Sequence, residues 1–224
     1  MRNQLYIYIF LLIFFNASSL ICKEKNDWIL HQKSAFFPTD MVTTRYSPLG
    51  VYSQTGDFIN IIHAKDQKIY SLHSKLKQYT EITFQEWQNL YQAQKQTEPL
   101  ETIFIGNEDI AGLKSLHYQI IQESTKISIP GEESLNGELP GSIADIWIAK
   151  DIPVDDHIKP FLTSELPMDI EIPTAQKGAL LKIQFTSEEI SKIILETTSY
   201  ELSDAEEDLF KIPKSFKKLK NPKT

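Results

Sequence analysis

Short runs of alternating apolar and polar residues dominate the chain between residues 57 and 82 (DFINIIHA, KDQKIYSLHS, KLKQYTEI), and turn residues such as Asp66-Gln67 separate them. A period of two in runs rich in Ile, Phe and Tyr predicts antiparallel strands joined by tight turns. Upstream, Met41 to Tyr46 and Val51 to Ser53 flank Ser47-Pro48-Leu49-Gly50, whose Pro and Gly predict a hairpin turn. The period changes at Thr83 to Ala93, where Phe84, Trp87, Leu90 and Tyr91 fall at helical spacing behind Thr83 as a candidate cap. After a polar linker at 94–99, strands are expected at Thr102 to Ile105, Leu113 to Gln122 and Lys126 to Ile129. A polar, Gly-containing loop from Pro130 to Gly141 leads into a strand from Ile143 to Ala149 that alternates around Trp147. Asp155-Asp156-His157 opens a short helix toward Ser164, interrupted by Pro160. Closing strands are expected at Ala179 to Thr186, Lys192 to Leu202 and Leu209 to Pro213.

This order predicts a mainly β fold with helices (α+β), built as one curved antiparallel sheet with helices on its concave side. A two-layer sandwich is the alternative.

The amino terminus breaks the pattern. Met1 and Arg2 precede an unbroken apolar run of eleven residues, Leu5 to Phe15, followed by Asn16-Ala17-Ser18-Ser19. That is the order of a signal peptide. At ~1.5 Å per helical residue the run reaches about half of a ~30 Å hydrocarbon core, so a membrane span would have to recruit Asn16, Ser18 and Ser19. We therefore expect residues 1–22 to be a signal segment, with a retained anchor as the alternative, and an exported protein of the periplasm or cell envelope. Cys22 is the sole cysteine, so an internal disulfide is excluded and the fold must rest on its core. Its place after an apolar leader makes it a candidate lipidation site. Ile21 before it departs from the small residue that a lipoprotein box carries, and removal with the leader is the other outcome. The expected organisation is a signal peptide at 1–22, a flexible start at 23–40, a single β-rich domain at 41–218 and a basic tail at 219–224.

Net charge is −7, and the leader holds Arg2 but no acid, so the remainder is more acidic still. Such a balance disfavours nucleic acid and anionic headgroups as general partners. The local exception is Lys211 to Lys223, with six lysines, read as a solvated, frayed end.

Candidate chemistry is sparse. His31, His63, His73, His117 and His157 fit no metal-ligand spacing; His63 and His73 fall on neighbouring predicted strands and would form only a two-ligand pair. The adjacent acids Glu132-Glu133, Asp155-Asp156, Glu188-Glu189 and Glu206-Glu207 cannot converge on one bond if they alternate along an exposed segment. Neither a phosphate-binding Gly pattern nor a G-x-S-x-G is present. No enzyme, cofactor or metal is expected. Gly112 marks a turn or bulge, and Tyr118 and Trp147 read as core or cross-strand aromatics.

A family resemblance rests on the middle and end of the chain. Residues 108–118 (EDIAGLKSLHY), then Asp145-Ile146-Trp147-Ile148-Ala149-Lys150-Asp151, then residues 209–218 (LFKIPKSFKK), resemble the ordered signature of an uncharacterised bacterial periplasmic domain family. Asp66 to Leu72 resembles the hairpin that precedes these elements, so the resemblance spans about residues 57 to 218. That family is similar in outline to the LolA and LolB lipoprotein carriers, which implies an open β half-barrel with helices in its mouth and room for an apolar chain. Members often carry a cysteine where Ser115 stands, so a bond from that position is not available here.

Two functions follow as expectations: an exported, non-enzymatic protein that binds or carries a lipid or acyl chain in its curved sheet, or an envelope or surface interaction module with a filled core and no small ligand. The partners expected are an apolar ligand or an envelope protein, with membrane contact only through a retained leader or an acylated Cys22.

Overall fold

The computed structural model describes residues 26–92, 101–122, 125–127, 137–139, 142–158, 161, 178–187 and 191–219. Cys22, Glu132-Glu133, Pro160, Glu188-Glu189 and the end of the lysine-rich tail lie outside them.

Strands β1 (Asn26–Ser34), β2 (Phe37–Ser47), β3 (Gly50–Thr55), β4 (Phe58–His63), β5 (Lys68–His73) and β6 (Gln78–Thr83) form a meander that ends in helix α1 (Phe84–Gln92). Then come β7 (Glu101–Ile110), β8 (Leu113–Gln122), β9 (Thr125–Ile127), β10 (Gly137–Leu139), β11 (Ser142–Ala149), β12 (Leu180–Ser187), β13 (Ser191–Asp204), a 3-10 turn at Glu207–Phe210 and β14 (Lys217–Lys218). Twelve of these strands make one open sheet in the order β14-β6-β5-β4-β3-β2-β1-β13-β12-β11-β8-β7, while β9 and β10 pair separately. Every pairing in the large sheet is antiparallel except β14 with β6.

The turns are where their chemistry asks for them. Ala111 and Gly112 have φ of +53° and +86°, the left-handed pair of a type I′ turn between β7 and β8. Gly50, at φ +146°, closes the Ser47–Gly50 hairpin, where a Cβ would overlap the Ile62 carbonyl.

Register sorts the face of β1–β6 that α1 covers into three rows. Trp28, Tyr46, Val51, Ile62, Ile69 and Ile82 stand side by side, an apolar row. The next row along the strands reads Leu30, Thr44, Ser53, Asn60, Ser71 and Thr80, polar after its first member. The third reads Gln32, Val42, Thr55, Phe58, His73 and Gln78.

Over the first row lie α1 and the side chains of Ile152, Val154, Ile158 and Phe161. Phe84 and Trp87 each meet the Phe161 ring at a centroid distance of 4.4 Å, and with Leu30, Tyr46, Val51, Ile152, Val154, Ile158 and Leu181 they form the main core cluster. Thr83 caps the helix as expected: its Oγ1 accepts from the Glu86 N–H at 3.1 Å, and Glu86 Oε2 accepts from the Thr83 N–H at 2.8 Å. This reciprocal capping box satisfies two donors that a helix start otherwise leaves open. The predicted apolar stripe is shorter than its spacing implies, because Leu90 is 43% exposed. A second cluster joins Tyr118 and Ile120 of β8, Ala144, Ile146 and Ile148 of β11, and Ile183 of β12. A third lies on the reverse of β3–β6, where Leu209, Phe210, Ile212 and Phe216 cover Tyr52, Ile61 and Leu72.

Several expectations need correction. Asn26–Ser34, expected in a flexible start, is a strand between β2 and β13 near the middle of the sheet. Leu209 to Pro213 is not a strand: Glu207–Phe210 forms a 3-10 turn, since Phe210 must leave the sheet plane to reach the reverse face. The lysine-rich segment is held as far as Leu219, whose N–H donates to the Tyr79 carbonyl at 2.8 Å, while Lys218 pairs with Glu81 at 2.7 Å. Of the helices expected against the sheet, α1 is present; in the expected Asp155 to Ser164 helix, Asp156–Ile158 is a turn, Phe161 is helical, and residues 159–160 and 162–164 lie outside the described ones.

Candidate functional site

Because the strands run antiparallel, their connections gather at two ends. At one end lie the turns β2–β3, β4–β5 and β7–β8 and the start of α1. This end is stoppered by the main cluster, and Gly178 lets β12 begin there in backbone contact with Ala149, whose carbonyl a Cβ would overlap. At the other end lie the turns β1–β2, β3–β4 and β5–β6 and the first residues of β13 and β7.

This second end is apolar and exposed. Phe36 in the β1–β2 turn is 56% exposed, Phe58 at the start of β4 55% and Leu76 in the β5–β6 turn 58%. Phe37, Met41 and Ile193 are exposed beside them, and Ile103, Phe104 and Ile105 continue the rim along β7. Single exposed apolar residues such as Leu202 on β13 and Leu90 on α1 need no explanation, but the grouping of Phe36, Phe37, Met41, Phe58, Leu76 and Ile193 at one end marks a contact surface. Backbone bonds hold the tips in place. Ala35 N–H donates to the Ile194 carbonyl at 2.8 Å, which ties the β1–β2 turn to β13, and Ser74 N–H donates to the Asp57 carbonyl at 2.8 Å, which ties β5 to the β3–β4 turn. His73 lies against Phe58 at a ring distance of 4.8 Å. Behind the rim, Ala35 packs on the second cluster.

Between stopper and rim the sheet is cross-linked by side chains. Gln32, buried, donates through Nε2 to the Leu180 carbonyl and to Thr197 Oγ1, both at 3.1 Å, and accepts from Thr44 Oγ1 at 2.9 Å. Thr197 donates onward to the Leu181 carbonyl at 2.8 Å. The inner face is therefore apolar in two patches with a satisfied polar band between them, rather than uniformly apolar.

The densest polar group in the second half is one that spacing does not reveal. His117 Nδ1 lies 2.8 Å from Glu108 Oε1 and its Nε2 2.8 Å from Asp145 Oδ1. Its ring stacks on Trp147 at 4.2 Å, Trp147 Nε1 donates to Glu108 Oε2 at 2.9 Å, and Lys182 Nζ stands 4.7 Å from the Trp147 ring. The Trp147 and His117 bonds hold the Glu108 carboxyl below its ordinary value, the Trp147 bond most strongly. Both imidazole nitrogens face carboxylate oxygens. With both positions taken, neither nitrogen is left for a substrate, and the group reads as a clamp across β7, β8 and β11. Beside it lies an open depression of about 390 Å³ lined by Asn107, Glu108, Asp109, Lys114 and Lys150. The signal for this clamp is non-local: the β8–β11 register sets His117 opposite Trp147 across the interval that holds the β9–β10 pair.

The other sequence candidates are scattered. His63 and His73 do not face each other; they stand at opposite ends of the β4–β5 hairpin, where His63 meets Lys68 and His73 meets Phe58. Ser115 is buried and donates to the Glu108 carbonyl at 2.8 Å. Glu206 belongs to an ion pair with Arg45 at 2.8 Å, and Arg45 also reaches Asp27 at 3.2 Å. Among the described residues no group of three or more His, Cys, Asp or Glu could hold a metal ion, and no helix is long and apolar enough to cross a membrane.

No protein-family model matches the chain, and no curated protein matches it. Among solved structures, an uncharacterized conserved protein from Thermus thermophilus is similar at 9% identity and a TM-score of 0.45, covering 87% of this chain and 90% of that one. LprF from Mycobacterium bovis is similar at 12% identity and a TM-score of 0.28, covering 87% of this chain and 91% of that one. At these values both likenesses are too loose to assign a function.

Proposed function

We propose that this chain is an exported, non-enzymatic envelope protein that engages an apolar ligand, the acyl chain of a lipid, at the open end of its sheet. One observation carries the reading: the sheet is stoppered at one end by α1 with Ile152, Val154, Ile158 and Phe161, whereas Phe36, Phe37, Met41, Phe58, Leu76 and Ile193 stand exposed at the other. Burial of an acyl chain is non-directional, so this binding asks for no polar signature. Each methylene covered contributes about 0.8 kcal/mol. Export rests on Leu5 to Phe15 behind Arg2.

The polar band at Gln32, Thr44 and Ser53 supports a second reading, because it divides the inner face and favours a filled core with a protein-binding rim. Mass spectrometry of the protein purified gently from its native envelope separates the two. A stoichiometric co-purifying lipid is expected. Its repeated absence from both free and membrane-bound pools would contradict the carrier and favour the interaction module.

A further inference from the structure

We propose that the apolar rim is also a docking surface for a phospholipid bilayer with anionic headgroups, inserting its turn tips while the stoppered end faces away. The inference shares the open end with the functional reading above, on which it rests for the orientation of the molecule, but it requires no bound ligand.

Two features of the rim point to a lipid surface. The most exposed apolar side chains are on turns or strand starts, so they project beyond the sheet and can enter the interface together; Phe36, Phe58 and Leu76 are all more than half exposed. Lysines also flank the tips. Among the described residues Lys33, Lys75, Lys77 and Lys192 are exposed at this end, with Asp40 and Asp57 beside them and Glu101 at the start of β7. Leu76 sits directly between two of these lysines. An apolar tip flanked by lysines matches the acyl and headgroup layers of a bilayer in sequence, the side-chain stems lying along apolar surface and the ammonium groups reaching phosphate. The same lysines make poor neighbours for the core of a protein interface, since charged residues are depleted there.

A nitroxide label reports insertion whatever tethers the amino terminus. The full chain carries Cys22→Ser with a single labelled cysteine, either Leu76→Cys at the rim or Lys65→Cys in the β4–β5 turn at the stoppered end. Each is mixed with vesicles of phosphatidylcholine and phosphatidylglycerol. The label at 76 should gain accessibility to oxygen and lose accessibility to a water-soluble nickel chelate, while the label at 65 stays aqueous. A label at 76 that remains as aqueous as the one at 65 overturns the proposal, as does equal insertion of both. Both positions are exposed, so labelling leaves the fold intact. Lys75→Glu with Lys77→Glu should weaken vesicle binding by roughly tenfold or more; unchanged binding would overturn the role given to the lysines. Insertion without any co-purifying lipid removes the carrier reading and keeps the docking surface, and a retained lipid with an aqueous tip does the reverse.

Discussion

Gln32, Asp27 and His117 are polar or ionisable residues that the fold places in enclosed positions, and each is held by partners on neighbouring strands. Gln32 spends its amide on β2, β12 and β13. Asp27, fully buried, is held by Arg45, and the Glu206 N–H approaches the same carboxylate oxygen at 3.4 Å. Local alternation marks such residues as solvent-facing, because their partners stand on other strands: the β1–β2 hairpin brings Arg45 and Thr44 to β1, and the pairing of β1 with β13 brings Thr197. His117 belongs to no ligand spacing in the sequence, yet two carboxylates converge on it. The acid limb of stability follows from the same bonds. Glu108 and Glu81 are both held below the ordinary 4.5, Glu108 chiefly by the Trp147 N–H and Glu81 chiefly by Lys218. A carboxyl depressed in the fold stabilises it above the unfolded value, and that contribution is lost as pH falls through the folded value. Urea midpoints should therefore be flat from neutrality to about pH 5 and fall below about pH 4.5. Glu108→Gln should fall less steeply over that acid range than the parent. Parallel acid limbs in the two proteins would show that Glu108 does not contribute.

At the scale of elements, the helix is legible because its signals are local: Thr83 and Glu86 stand three apart, and Phe84 and Trp87 repeat at a helical interval. The same locality explains the β2–β3, β3–β4, β4–β5 and β7–β8 hairpins, whose turns carry Pro, Gly or Asp, but not β1–β2 and β5–β6, whose turns Ala35-Phe36 and Ser74 to Lys77 carry none. Elements that depend on long-range packing are not legible in this way. The Leu209 to Pro213 segment has the composition of a strand, but its apolar residues serve as a lid on the reverse face of β3–β6. Leu90, six residues on from Phe84, lies roughly 120° around the helix from it and stays exposed. Phe84 is the anchor of this arrangement, buried between the apolar row and Phe161. Phe84→Ala should cost about 3–5 kcal/mol, the usual range for emptying a core aromatic site. Urea denaturation measures it, and a loss below about 1 kcal/mol would mean that the helix is not the stopper described here.

For the whole molecule, a large antiparallel sheet is readable from alternation, whereas its strand order is not. β1 joins two halves because β13 returns from the far end of the chain to lie beside it, a pairing that no local pattern encodes. The expected apolar cavity becomes a more particular arrangement: a stoppered end, a polar band and an apolar rim. Binding at that rim is the central claim. The most direct measurement is a titration with a fluorescent acyl-chain probe of the parent, of Phe36→Ser with Phe58→Ser, and of Lys65→Ser at the stoppered end. The account predicts saturable binding in the parent and in Lys65→Ser, and a loss of at least tenfold in affinity when both rim phenylalanines are replaced. No saturable binding in the parent, or rim substitutions without effect, would contradict it.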